Sequence, residues 1–222
     1  MKAGLGEDHF SIAWQYPNKP REVIPAKFSQ TENPFEVGAI LDTWTGVSGD
    51  TIQHLLNSTK YLARNPDKSV RLLDFLESRT DTGDNYGIRM SGWLVPPVTG
   101  DYVFWIASDN HGEFWLSSSD DRRNMFRICR QSGWTQSREW DKSPEQQSRS
   151  VSLVAGNAYY YEVRLLRTNR IMCIGILFRH YCLTYSTSGT DERGNRRRQL
   201  VHCLAVSQQA KRSHSCKVFP NQ

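Results

Sequence analysis

Residues 87–120 read GIRMSGWLVPPVTGDYVFWIASDNHGEFWLSSSD, and the rhythm of this stretch decides the fold class. Three runs rich in aromatic and β-branched residues, Gly87–Val95, Asp101–Ser108 and Gly112–Ser118, are cut by the turn-formers PPVTG and DNHG, the punctuation of antiparallel strands. Within DYVFWIAS, Tyr102, Phe104 and Ile106 point to one side and Val103, Trp105 and Ala107 to the other. Both sets are apolar, so this run is expected to be a central strand buried on both faces.

The pattern extends in both directions. Ser69–Ser78, Met125–Arg130, Arg149–Val154 and Ala158–Leu166 are further strand-like runs. Ala155-Gly156-Asn157, with two residues that tolerate positive φ, predicts a hairpin between the last two. GDTIQHLLNS places Ile52, Leu55 and Leu56 at helical spacing behind Asp50 as a candidate cap. The fold class is therefore all-β, an antiparallel sandwich or barrel with one short helix, followed by an irregular C-terminal tail.

Length and charge narrow the function. The 222 residues suit one domain with appended sequence. The net charge of +5 is unevenly placed: residues 1–169 carry 19 Lys+Arg against 21 Asp+Glu, and residues 170–222 carry 9 against 2. The body is thus not a basic surface for nucleic acid, and Arg196–Arg198 reads as a solvated stretch of tail. Four of the five cysteines, Cys173, Cys182, Cys203 and Cys216, also lie in the tail, without CxxC spacing. Residues 169–222 read as a basic, disordered tail whose composition breaks from the domain. Residues 17–40 hold four of the nine prolines and read as a linker.

No secretory signal is expected at Met1, and the longest apolar run, Ile171–Phe178, falls far short of the roughly 20 residues a membrane helix needs. Asn57-Ser58-Thr59 is an acceptor sequon for glycosylation. Asp109-Asn110 admits two readings. Two oxygen-bearing side chains between strands can hold a hard cation such as calcium, or DNHG can be an ordinary hairpin turn.

Residues 41–168, through PPVTGDY, SDN-G-FWLS, GWTQSREW and VSLVAGNAYYYEVRL, resemble the protective-antigen (PA-14) domain family, as in fibrocystin-like receptors and fungal flocculins. The resemblance implies a β-sandwich that often binds glycans. In lectin-like members two adjacent acidic residues joined by a cis peptide chelate calcium, which contacts sugar hydroxyls. Asp109 and Asn110 stand at those positions, with a neutral amide in place of the second carboxylate. A loop that normally completes such a site is not found after Tyr161, whereas KAGLGEDHFSIAWQYP at the start resembles it. Residues 1–16 are accordingly expected to be the last loop and strand of a preceding repeat. The prediction is that HFSIAWQ docks into the vacant place, burying Phe10, Ile12 and Trp14 and bringing Glu7 and Asp8 towards Asp109 and Asn110. The 26 residues from Gln15 to Ile40 reach up to roughly 86 Å at about 3.3 Å each.

The function expected from this reading is a noncatalytic, calcium-assisted carbohydrate-binding or adhesion module, with glycans or glycoproteins and neighbouring repeats as partners. It would lie outside the cell or on its surface, within a longer precursor. Trp134 and Trp140 are candidate sugar-stacking rings; a structural or protein-binding spacer is the alternative. Asp84, Asp101, Glu113 and Glu139 show no spacing that specifies an acid/base pair, so no enzyme is expected.

Overall fold

The computed structural model describes residues 9–49, 51–78 and 84–168 in full, together with the backbone of 181–186 and 199–204. In chain order the elements are β1 (Phe10–Gln15), β2 (Glu22–Val23), β3 (Ser29–Gln30), β4 (Ala39–Thr45), α1 (Ile52–Leu56), α2 (Thr59–Leu62), β5 (Lys68–Leu72), β6 (Tyr86–Leu94), β7 (Gly100–Ser108), β8 (His111–Ser117), β9 (Met125–Ser132), β10 (Val151–Leu153), β11 (Tyr159–Arg167), β12 (Tyr181–Ser186) and β13 (Gln199–Leu204). One sheet has the order β10-β7-β1-β2 and the other β5-β4-β6-β11-β8-β9, with β3 also paired to β6. Residues 1–168 form one compact unit and 169–222 another; in the second, β12 and β13 pair antiparallel, and the rest of the expected irregular tail lies outside the described residues.

The first unit is an antiparallel β-sandwich. Phe10, Ile12 and Trp14 from β1 and Tyr102, Phe104 and Ile106 from β7 meet Ile88, Met90, Phe114, Leu116, Tyr161 and Val163 of the larger sheet in one core. The period-2 alternation of each strand delivers these residues to a single face. On the opposite face of β7, Trp105 and Ala107 are also buried, as expected for a central strand.

Strand β1 lies between β7 and β2. Phe10 to Gln15 pair with Ser108 to Val103, and Ala13 and Trp14 pair with Val23 and Glu22. Phe10, Ile12 and Trp14 are buried. Residues 17–40, expected as a linker, instead form β2, a 3-10 turn at Ala26–Phe28 and β3. Ile24 and Ala26 enter the core, and Ile24 N–H donates to the Ile12 carbonyl at 3.1 Å. Proline restricts backbone shape but does not forbid short edge pairings, and the apolar residues between the prolines decide the outcome.

The β10–β11 segment is not a hairpin: Gly156 does take positive φ, but β10 pairs with β7 and β11 with β6 and β8, so the chain crosses between sheets. The single helix is two short ones, joined at Asn57 and Ser58, where Ser58 Oγ caps α2 by accepting from Tyr61 N–H. Thr51 is the N-cap of α1 and gives no side-chain cap bond; Asp50 lies outside the described residues.

The helices pack Ile52 and Leu55 with Trp44, Val47 and Leu166 in a second, smaller core. Gly87 is required there, because a Cβ would lie 2.2 Å from Leu55 Cδ1. On β11, buried Glu162 accepts from Tyr160 Oη at 2.8 Å and from Arg164 Nε and Nη2 at 2.9 and 2.7 Å. Burial, reinforced by the Glu162 charge, pushes the Tyr160 hydroxyl well up, which keeps it a donor. Arg164 stacks on Trp115 with 4.8 Å to the ring centroid.

Candidate functional site

The turn reading of Asp109-Asn110 fails on topology. β7 belongs to one sheet and β8 to the other, so Asp109 and Asn110 form the corner at which the chain leaves one layer for the next. Their peptide bond is cis. The corner is held from several sides: Asp109 N–H donates to the His9 carbonyl at 3.0 Å, and Ser108 Oγ to the Asn110 carbonyl at 3.0 Å. Thr135 N–H donates to the Ser108 carbonyl and Thr135 Oγ1 accepts from Ser108 N–H, both at 3.0 Å. Gly112 leaves room for this packing, since a Cβ there would sit 2.6 Å from Ser108 Oγ.

Both polar side chains are buried, Asp109 at 4% and Asn110 at 9% exposure. Arg167, the last residue of β11, places Nη1 2.7 Å from Asp109 Oδ2 and 3.4 Å from Asn110 Oδ1. Thr168 N–H donates to the same Asn110 oxygen at 3.2 Å, and Arg167 Nη2 lies 3.6 Å from Asp84 Oδ1. Among the described residues Asp109 Oδ1 is buried with no hydrogen-bond partner. A buried acceptor left without a donor is unfavourable by about 1–3 kcal/mol, and an oxygen in that state suits a hard cation. The donor set therefore fits calcium in kind: Asp109 and Asn110 would hold it. Among the described residues no group of three His, Cys, Asp or Glu side chains converges as a metal site, and Glu7 and Asp8 lie outside the described residues.

Burial raises the Asp109 carboxyl above its ordinary value of 3.8, against the lowering pull of Arg167 and His9. The folded state thus holds this proton more tightly than the unfolded chain. The group's own contribution to folding is full below 3.8 and lost as pH rises through the raised value. Attraction for a cation has the opposite sense and needs the ionised form.

The two tryptophans diverge. Trp134 is 48% exposed and directly precedes Thr135, whose hydrogen bonds tie its loop to Ser108 beside the corner. Lys142 Nζ lies 3.1 Å from the Trp134 ring centroid and donates to its carbonyl at 2.7 Å. Trp140 is half-buried. Asn57 is exposed and closes α1, accepting from Gln53 Nε2 at 2.8 Å. Of the carboxylates considered for acid/base work, Asp84 faces Arg167, Asp101 accepts from Ser152 Oγ, and Glu113 pairs with Arg127.

A concavity of about 780 Å³ lies along β9 and β10, lined by Arg127, Cys129, Arg130, Glu145 and Arg149 among others. Its Arg127 and Arg130 are engaged by Glu113 and Glu145, and burial pushes the Cys129 thiol far up, which leaves it an inert core group. The corner, with a buried oxygen unmatched among the described residues and an exposed ring on the adjoining loop, is the stronger candidate.

The PA14 domain family model matches residues 65–194, more than half of the chain. The chain belongs to the PA14 domain family. A mouse (Mus musculus) N-acetyl-beta-glucosaminyl-glycoprotein 4-beta-N-acetylgalactosaminyltransferase 1 is 36% identical over 83 residues, 36% of this chain and 8% of that protein. Fibrocystin of dog (Canis lupus familiaris) is 30% identical over 87 residues, 36% of the chain and 2% of the protein. Mouse fibrocystin is 29% identical over 105 residues, 42% and 2% respectively. The matched stretch spans less than a tenth of each relative's length. As a PA14 domain, the chain fits a carbohydrate-binding or adhesion module. Among its described residues no helix is long and apolar enough to cross a membrane.

Asp109 and Asn110, expected from the sequence as metal ligands, stand together at the corner, and Arg167, which the sequence did not point to, stands on both of them. The signal was available only through register: Leu166 pairs with His111, so the next residue of β11 reaches the corner.

Proposed function

We propose that this chain is a noncatalytic carbohydrate-binding or adhesion module, part of a larger extracellular or cell-surface protein, that takes glycans or glycoproteins at the Asp109-Asn110 corner. The observation that carries the reading is Asp109 Oδ1, buried and without a hydrogen-bond partner among the described residues, at a sheet-crossing corner whose adjoining loop exposes Trp134. The oxygen supplies a polar anchor, and the indole supplies a flat apolar face for a sugar ring. Calcium bound by Asp109 and Asn110 would add a cation that sugar hydroxyls can coordinate. Neighbouring repeats of the same family are proposed as partners along a longer chain. N-glycosylation of exposed Asn57 accords with such a setting.

One relative's name describes action on N-acetyl-β-glucosaminyl glycoproteins, which makes glycans ending in N-acetylglucosamine a sensible part of the first screen. The test is a glycan array probed with the intact chain in calcium and in chelator, beside Trp134→Ala and Asp109→Asn. Retention that falls at least about tenfold in both variants supports the reading; a ring and a buried polar anchor each contribute on the order of 1.4 kcal/mol or more. No retention of any glycan by folded protein would select the spacer reading, which the occupation of the corner by Arg167 favours.

A further inference from the structure

The Asp109-Asn110 corner presents three side-chain oxygens, and the chain's own cation already engages two of them. Arg167 Nη1 sits 2.7 Å from Asp109 Oδ2 and 3.4 Å from Asn110 Oδ1. The arrangement is built rather than superficial: the Arg167 and Asp109 side chains are 16% and 5% exposed. A carboxylate so far from water needs a positive charge beside it, and a guanidinium meets that need through directed hydrogen bonds. A metal ion and the guanidinium both draw on the single negative charge of this carboxylate, and two cations held within its width repel each other, so they compete. Asp84, 3.6 Å from Nη2, offers the guanidinium a second, more exposed carboxylate.

We propose that Arg167 is the resident cation of the corner, an intramolecular competitor that keeps the site closed in the absence of a divalent ion. The proposal rests on the reading of the corner as a ligand site and adds its regulation. Divalent ions enter only when the guanidinium leaves Asp109 for Asp84. The wild-type chain consequently binds calcium weakly, and its stability does not depend on calcium. The carboxylate oxygen that Arg167 leaves alone, Oδ1, is the first contact for an arriving ion. The competition also gives ligand binding a built-in threshold: a glycan that brings no calcium with it meets a corner already neutralised.

The test uses the full chain with calcium chloride as probe, comparing wild type, Arg167→Met and Arg167→Lys by thermal melting and calorimetry. Arg167→Met is expected to melt at a lower temperature than wild type in chelator, to be restored by calcium, and to bind calcium at least about tenfold more tightly, as loss of a charge-assisted hydrogen-bond pair implies. Arg167→Lys keeps the charge but loses the fork, so an intermediate gain in calcium affinity is expected. It carries the test if Arg167→Met fails to fold without calcium. Calcium affinity in the folded variants no greater than in wild type overturns the proposal. So does an Arg167→Met protein whose melting is unchanged in chelator. Loss of glycan retention with the calcium response intact removes the functional reading alone; intact retention without a calcium response removes only the role of Arg167.

Discussion

Replacing Trp14 with alanine is expected to destabilise the sandwich by about 3–5 kcal/mol, the range for deleting a large buried aromatic. The indole is fully buried and contacts the rings of Tyr16, Phe28 and Tyr102 at centroid distances of 5.3, 5.3 and 5.4 Å. Its Nε1 donates to Glu22 Oε1 at 3.2 Å, so the substitution removes both a core ring and a tie between β1 and β2. Urea denaturation followed by circular dichroism reads the change as a lower midpoint. A loss below about 1 kcal/mol would mean that β1 is dispensable to the core. Removing the whole strand would also expose the edge of β7 to pairing with other chains.

An effect of similar size is expected at the opposite sheet. Glu162→Ala should lower stability by about 3–5 kcal/mol, because it leaves the Arg164 guanidinium buried without its carboxylate. Both partners are nearly sealed from water, at 11% and 9% side-chain exposure, and Tyr160 loses its acceptor in the same step. Glu162→Gln should be milder, since its amide oxygen still accepts from Arg164. Replacing Glu162 and Arg164 together with apolar residues of matching size should recover much of the loss. Denaturation midpoints for the three variants check the order. Equal losses in all three would mean that packing volume, not charge, governs this site.

The strands and the inward residues were legible because alternation is a local signal: Tyr102, Phe104 and Ile106 declare their face within one strand. Sheet membership was not. β10–β11 read as a hairpin, and a hairpin turn was one of the two readings of Asp109-Asn110 between β7 and β8, since Asp109-Asn110 and Gly156-Asn157 are good turn residues, yet each connection crosses between layers. Turn chemistry specifies a reversal of direction and leaves open which sheet receives the next strand. The prolines between Pro17 and Pro34 masked Ile24, whose burial depends on β1 already being in place. Arg167 was illegible for the same reason. Its partner lies 58 residues earlier in the chain, and only the β11–β8 register brings the two together.

Carbohydrate held at the sheet-crossing corner would leave its mark on the backbone amides there. Amide hydrogen exchange on the intact chain, with and without the glycan best retained on the array, tests it directly. Increased protection is expected at Ser108–His111 and Gly133–Thr135, with no change along β9 and β10. Protection that increases instead around Arg127, Arg130 and Arg149 would contradict it and move the binding site to the cleft between those strands.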